Sequence, residues 1–308
     1  MKTPITIYMA DLVHDILPGI YVVPLNVSGI SAYIKSVMGG EVEIRIFKSP
    51  PALLAAIKKK PPQILALSNY LWNRHLNSQI GKIVRTHFPE VIIAAGGPGI
   101  RIDREGIGQF LRANSYIDIY TLFEGEQPFL NFMQKTFGAS ASGHKRAKER
   151  FADGDIIKGC AYSVGEDLIY SEHDILSDLG ALPSPYLTGQ LDEFLNGEFI
   201  PLFESNRGCP FSCSYCNWGG LGLREDKGVS AGVEISEMLG NVERHLIAVQ
   251  TFDPKVQEST GRANIRQEEI PSLVRELKEQ GGSGIDRRSL RIAAGKRRKP
   301  QGDAAQMF

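Results

Sequence analysis

The chain has 308 residues, enough for two ordinary domains or one large one. Lysine plus arginine and aspartate plus glutamate number 35 each, so no net charge draws the chain toward nucleic acid or an acidic membrane surface. A hydrophobic content of 42% can fill a sizeable core. Nothing approaches the roughly 18 consecutive apolar residues of a spanning helix. Residues 1–11 lack the charged segment and long apolar stretch of a secretory signal, and the expectation is a cytoplasmic protein with no membrane partner. Four cysteines are too few for a disulfide scaffold in a chain this long. Three of them, Cys209, Cys213 and Cys216, sit together as metal ligands would.

In chain order, residues 5–9 form a β-rich apolar run, and 29–38 a helix that ends at Gly39-Gly40. Residues 41–47 alternate apolar and charged side chains like a strand. A helix over 52–60 stops at Pro61-Pro62. A buried strand over 63–68 precedes an amphipathic helix over 76–88. A second buried strand, 91–95, leads into Gly96-Gly97-Pro98-Gly99. A helix over 104–112, a strand over 117–123 and a helix over 128–137 complete the βα series. Such alternation predicts an α/β fold with a parallel, Rossmann-like sheet covered by helices on both faces. Ligands of such sheets bind outside the carboxyl ends of the strands, here 11–28, 68–73, 96–99 and 124–126. The glycines at those ends serve either ligand approach or simply tight βα turns.

Residues 139–148 are small and polar and read as a linker. Runs over 156–162 and 167–171, joined near Gly165, predict a β-hairpin. The prolines of 182–189 predict an extended connection, and 199–204 a strand entering the cysteine segment. Residues 205–220 read S-N-R-G-C-P-F-S-C-S-Y-C-N-W-G-G. The C-x3-C-x2-C spacing lets each thiolate take one iron of a cubane and leaves one iron open to a small molecule; electron-transfer clusters use four cysteines. A Cys3His zinc site is the competing reading, but the first histidine downstream is His245. Cys160, in a strand far upstream, reads as a buried small hydrophobe.

The cysteine spacing, with Tyr215 before the last ligand and the frame N-R-G-C-P-F-S-C-S-Y-C-N-W-G, resembles the radical S-adenosylmethionine enzymes. That resemblance implies a 4Fe-4S cluster on Cys209, Cys213 and Cys216. The open iron would bind the amino and carboxylate groups of S-adenosylmethionine, and electron transfer would release a 5′-deoxyadenosyl radical. It further implies an electron donor such as flavodoxin or ferredoxin, Tyr215 against the adenine, and Gln250 facing the S-adenosylmethionine. Asn206 and Arg207 would support the loop.

A parallel domain ahead of such a loop is similar to the cobalamin-binding domain of the cobalamin-dependent subfamily. The match covers roughly residues 1–225. It rests on S-N-Y-L-W-N at 68–73, A-G-G-P-G at 95–99, F-E-G-E at 123–126, the P-S-P-Y-L-T-G connection and the cluster loop. It implies a corrin over Asn69, Tyr70 and Trp72, with Gly96 and Gly97 admitting a nucleotide tail. Glu124, Gly125 and Glu126 line the same edge. Ser68 offers a hydroxyl to the tail, or instead makes a turn or cap bond; Trp72 lies under the corrin or packs in the core.

Two features depart from that family. Domains that hold cobalt through an imidazole carry D-x-H-x-x-G, whereas this chain has Asp11-Leu12-Val13-His14-Asp15 with Gly19 further on. Cobalt without a protein imidazole is the expectation. A complete (β/α)8 barrel takes about 250 residues, and the stretch after Cys216 has room for about three βα units. The expected organisation is a cobalamin-binding domain (1–138), a linker with a β-hairpin (139–198), an incomplete radical S-adenosylmethionine barrel (199–280) and a disordered basic tail (281–308), in an internally shortened, truncated member. The tail is a solvated or frameshifted segment, or alternatively a nucleic-acid arm. The expected chemistry is methyl transfer to carbon, or a radical cyclisation or rearrangement, on a small-molecule substrate. The competing reading is an inactive cobalamin-binding module with a vestigial cluster loop.

Overall fold

In the computed structural model, residues 3–14, 21–138, 154–204, 206–208 and 224–225 are described. They build strands β1 (Ile5–Ala10), β2 (Tyr21–Val22), β3 (Val42–Phe47), β4 (Ile64–Ser68), β5 (Ile92–Gly96), β6 (Ile119–Thr121), β7 (Cys160–Val164), β8 (Asp167–Tyr170), β9 (Phe199–Ile200), β10 (Asn206–Arg207) and β11 (Arg224–Glu225). The helices are α1 (Leu25–Met38), α2 (Pro50–Lys59), α3 (Arg74–His87), α4 (Arg104–Ala113) and α5 (Glu126–Phe137). The chain divides into two compact units, Met1–Phe203 and Glu204–Phe308.

In the first unit, β1 is buried at every position. That burial suits a central strand with helices on both faces. The sheet order is β3-β1-β4-β5-β6-β7-β8. The first five of these run parallel, with Ile7 in register with Ile44 on one side and Ile64 on the other. Alternate residues of the strands feed two cores. Ile5, Ile7 and Met9 pack with α1 and α5, while Tyr8, Ala10 and Leu12 pack with α2, α3 and α4. The α/β class and the βα order are therefore as the sequence implies.

The hairpin expected within a linker over 139–198 instead extends this sheet. The hairpin β7–β8 joins the same sheet, with β7 antiparallel to β6. Its residues Cys160, Ala161 and Tyr162 are buried in the two cores. A two-residue bend at Gly165, at φ 60°, closes the hairpin.

Four helices, α1, α2, α3 and α5, start earlier than the sequence pattern suggests. Helix α1 begins right after Pro24, whose missing N–H is harmless at a helix start, and Gly29 lies inside it. Helix α2 begins at Pro50, and the Ser49 side chain accepts from Ala52 N at 3.4 Å. The connection 182–189 is wound rather than extended. Thr188 N donates to Ser184 O at 3.1 Å and Gln190 N to Pro185 O at 2.9 Å. Proline at the head of such a turn loses no needed N–H.

Beyond the hairpin, the chain returns to α1. Leu191 and Phe194 form a small core with Val23, flanked by Tyr186 and Phe199. Gln190 Oε1 accepts from Ser31 Oγ at 2.8 Å and Lys35 Nζ at 2.9 Å. Strand β9 pairs in parallel with β2. In the second unit, β10 pairs antiparallel with β11, and Arg207 Nε lies 2.9 Å from Glu204 Oε2. The barrel expected over 199–280 lies almost wholly outside the described residues, as does the tail expected over 281–308.

Candidate functional site

The connection leaves β1 toward β3 on one side, while β4 and the later strands lie on the other. The order reverses between β1 and β4, and the crevice at their carboxyl ends is the position where open α/β sheets bind ligands. A buried polar chain occupies its floor. Asp11 Oδ2 accepts from Lys48 Nζ at 2.9 Å and Asp11 Oδ1 from Ser68 Oγ at 2.7 Å. Ser68 Oγ in turn accepts from Asn73 Nδ2 at 3.2 Å, and Ser68 O accepts from Asn77 Nδ2 at 2.7 Å. With its proton committed to Asp11, Ser68 can offer a ligand only an acceptor lone pair. Through Asn73, Ser68 is tied to the loop that follows it.

Asn69 is the root of that loop. Its backbone N donates to Gly96 O at 2.6 Å, and its O accepts from Gly99 N at 2.9 Å. Asn69 Nδ2 donates to Tyr120 OH at 3.1 Å, and that hydroxyl donates to Gly97 O at 2.6 Å. Burial holds the Tyr120 hydroxyl well above the usual phenol range, so it stays a donor. Gly97 has φ 125°, and a Cβ there would lie 2.8 Å from Asn69 O. A Cβ on Gly96 would lie 2.2 Å from Thr121 Oγ1. Gly97 is thus needed to bring the β5–α4 turn against the β4–α3 loop, and Gly96 to lie beside Thr121 of β6, whatever they do for a ligand.

Above the root, Tyr70 and Trp72 stack with ring centroids 4.5 Å apart and planes 13° from parallel. Trp72 is 62% exposed and Leu71 70%, so Trp72 is not a core residue. Asn73 Oδ1 accepts from Tyr70 N at 2.9 Å, and Asn26 Nδ2 of α1 donates to Tyr70 OH at 2.8 Å. The result is an exposed aromatic surface on a polar, buried base.

The segment after β6 belongs to the α1–α5 face. Phe123 has φ 59°, uncommon for a bulky side chain, and its ring meets His173 edge-on at 5.1 Å. This bend delivers Glu124 and Gly125 to the head of α5. Glu126, the first residue of α5, is buried where the helix dipole favours a carboxylate. A Cβ on Gly125 would meet Ile30 Cδ1 at 2.3 Å, and one on Gly29 would lie 3.6 Å from Glu126 Oε1. Burial, then the charges of Glu126 and Asp174, raise the Tyr33 hydroxyl on α1. The first turns of α1 therefore touch both groups of expected residues: Tyr70 through Asn26, and 125–126 through Gly29 and Ile30.

Cys209, Cys213, Cys216, Tyr215 and Gln250 lie outside the described residues. The fourth cysteine, Cys160, is buried, donates to Pro128 O, and has its thiol pushed up by burial. Sequence reasoning missed Lys48, Asn73, Asn77, Asn26 and Tyr120 as parts of this site. Their signal was faint: asparagines and a lysine beside strand ends, where a turn explains them as well as a function does. No helix among the described residues is long and apolar enough to cross a membrane.

No family model matches the chain. Over 185 residues it is 32% identical to the cobalamin-dependent radical SAM methyltransferase TokK of Streptomyces tokunonensis, covering 56% of this chain and 25% of TokK. Over 168 residues it is 30% identical to the 2-(S-pantetheinyl)-carbapenam-3-carboxylate methyltransferase of Streptantibioticus cattleyicolor, covering 51% of this chain and 22% of that protein. The chain spans about a quarter of the length of these curated relatives. Its fold resembles that of OxsB, a cobalamin-dependent S-adenosylmethionine radical enzyme solved with aqua-cobalamin and S-adenosylmethionine bound. The TM-score is 0.55 at 15% identity, over 84% of this chain and 36% of OxsB. OxsB with aqua-cobalamin alone gives the same values.

Proposed function

We propose, from the premise that this chain is a relative of the cobalamin-dependent radical S-adenosylmethionine enzymes, that its first unit binds cobalamin at the carboxyl ends of β1 and β4. The observation that carries this reading is the Tyr70–Trp72 stack, half-buried at Tyr70 and exposed at Trp72, at the point where the strand order reverses. A corrin is a broad ring with apolar faces and a polar rim, and it suits an aromatic surface set on a polar base. Two buried oxygens, Ser28 Oγ and Asn77 Oδ1, have no hydrogen-bond partner. Ser28 is on α1 and Asn77 on α3, so both flanking helices offer an acceptor to polar groups of the ligand. The residues present therefore fit the group.

Within this reading, Asn69, Gly96 and Gly97 hold the loop root, Ser68 accepts a hydrogen bond, and Trp72 with Tyr70 supports the ring. Glu124, Gly125 and Glu126 serve the α1–α5 side. His14 is exposed and one residue out of the imidazole pattern, and both oxygens of Asp11 already accept bonds from Lys48 and Ser68. That supports cobalt without a protein imidazole. Cys209, Cys213 and Cys216 would hold the 4Fe-4S cluster, with Tyr215 and Gln250 at S-adenosylmethionine. Bound together, these groups supply a methyl carrier and a radical initiator. The substrate is a small molecule, the reaction a C-methylation or a radical cyclisation or rearrangement, the electron donor a flavodoxin or ferredoxin, and the setting the cytoplasm.

The test has two arms on the full chain. Aquacobalamin titration, followed in the visible spectrum, is expected to saturate at one per chain; no binding removes the cobalamin reading. Anaerobic reconstitution with iron and sulfide is expected to give a cluster that converts S-adenosylmethionine to 5′-deoxyadenosine. Cobalamin binding without that product leaves the second reading, a binding module with a vestigial cluster loop.

A further inference from the structure

We propose that β8 is a self-association edge: two copies of this chain pair their β8 strands antiparallel about a two-fold axis at Ile169, joining their sheets into one. The inference stands apart from the cobalamin reading. Among the described residues, β8 closes one side of the seven-stranded sheet and β3 the other. The two edges differ. Strand β3 alternates buried Val42 and Ile44 with exposed Glu43 and Arg45, and Lys60 Nζ lies 2.8 Å from Glu43 Oε2. Charges of that kind discourage an edge from pairing. Strand β8 reads D-L-I-Y. Past Asp167 at its turn it is apolar, and Leu168, Ile169 and Tyr170 are all partly exposed. An uncharged run at a sheet edge is a template for another strand.

The register of the hairpin decides which groups face outward. Its bend sets Val164 opposite Asp167 and Tyr162 opposite Ile169, and Ser171 N donates to Cys160 O at 3.0 Å. In an antiparallel ladder, hydrogen-bonded pairs alternate with pairs whose N–H and C=O turn away. Asp167, Ile169 and Ser171 therefore bond inward to β7, while the N–H and C=O of Leu168 and Tyr170 point outward. A second β8 satisfies all of these groups when Leu168 of each copy lies opposite Tyr170 of the other. That register sets the two Ile169 residues face to face on the axis, with Cα atoms about 4.5 Å apart. Such a contact is isologous and closes at two copies.

The surface beside the strand also suits a second copy. On the face that carries Leu168 and Tyr170, a groove of about 340 Å³ is lined by Arg104, Glu105, Gly108, Arg112 and Leu168. The Arg104 guanidinium sits over the Tyr170 ring at 5.2 Å. The groove thus presents both signs of charge beside the pairing edge. An acidic partner would meet Glu105 and a basic one the two arginines, whereas a two-fold copy can set its glutamate toward an arginine.

Light scattering on the full chain is expected to give the mass of two chains at high concentration and of one on dilution. Ile169→Glu and Ile169→Lys each place like charges on the axis and should be monomeric, while their mixture should recover the dimer. Cross-linking keeps the test open should the charged variants fail to fold. Mild oxidation of Ile169→Cys should yield a disulfide-linked dimer, since facing Cα atoms at that spacing lie within reach of the bond. In Asp167→Cys the two new thiols fall several residues apart in this register, so that variant should cross-link no more than the unsubstituted chain, which sets the background from the native cysteines. A chain that stays monomeric at every concentration overturns the proposal. So does a dimer that forms undiminished in folded Ile169→Glu and Ile169→Lys alone, or one in which Asp167→Cys cross-links as readily as Ile169→Cys.

Discussion

Lys48 Nζ lies 2.9 Å from Asp11 Oδ2, and their side chains are only 6% and 11% exposed. A charge pair this secluded is held by its geometry, and removing one member strands the other. Lys48→Ala is expected to destabilise the first unit by about 3–5 kcal/mol. Lys48→Met combined with Asp11→Asn, which removes both charges, should recover most of that loss. Urea denaturation of the three proteins measures both effects.

Trp72 invites the opposite result. Its ring is largely in water, so Trp72→Ala should change stability by no more than about 0.5 kcal/mol. Aquacobalamin affinity should nevertheless fall several-fold, because the stacked surface is halved. The chain has two tryptophans, and quenching on cobalamin addition should be largely lost in Trp72→Phe. Full quenching in that variant would mean that the corrin sits elsewhere.

Gly97 couples stability to the site. Its φ of 125° disfavours any side chain, and the Cβ of alanine would press 2.8 Å from Asn69 O. Gly97→Ala is expected to cost about 2 kcal/mol or more and to weaken cobalamin binding, since the loop root moves. Asn69→Ala should weaken binding as well, through loss of the bond to Tyr120. A calorimetric titration against a thermal melt separates the two effects for each variant.

Alkaline pH should unfold the first unit cooperatively. Burial pushes the Tyr116 hydroxyl up to about 12 from its ordinary 10.0, and moves Tyr120 and Cys160 in the same direction. The folded chain keeps these protons where the unfolded chain releases them. Their contribution is therefore complete below the unfolded values and is lost as pH rises through about 10 to 12. The denaturation midpoint should be lower at about pH 11 than at about pH 8, and the tyrosinate absorbance that Tyr116 and Tyr120 contribute should appear with unfolding rather than ahead of it.

The βα order was legible because apolar periodicity and proline or glycine stops report burial directly. Strands such as Ile64–Ser68 and Ile92–Gly96 are apolar runs too short for helices, flanked by turn residues. The start of α1 was not legible, since Gly29 imitates a boundary that Pro24 actually sets. Nor was the fate of the hairpin, because antiparallel addition to β6 depends on an unfilled sheet edge, which sequence does not display. At the site, the aromatic pair and the glycines stood out by type. The Asp11–Lys48–Ser68–Asn73 chain did not. Its members are distant in sequence and ordinary in composition, and only the sheet brings them together.

The return of the chain over α1 bears on where a recombinant fragment can be cut. A piece ending at residue 138 would leave β6 as a bare sheet edge and strip Tyr162 and Cys160 from the core shared with α5. It would also remove the Gln190 bonds to α1 and the small core around Leu191 and Phe194. Such a piece should aggregate through β6, while one ending at Phe203 keeps β6 paired with β7 and retains the small core on α1. The practical boundary for crystallisation or spectroscopy of the first unit is therefore Phe203, the last residue of that unit.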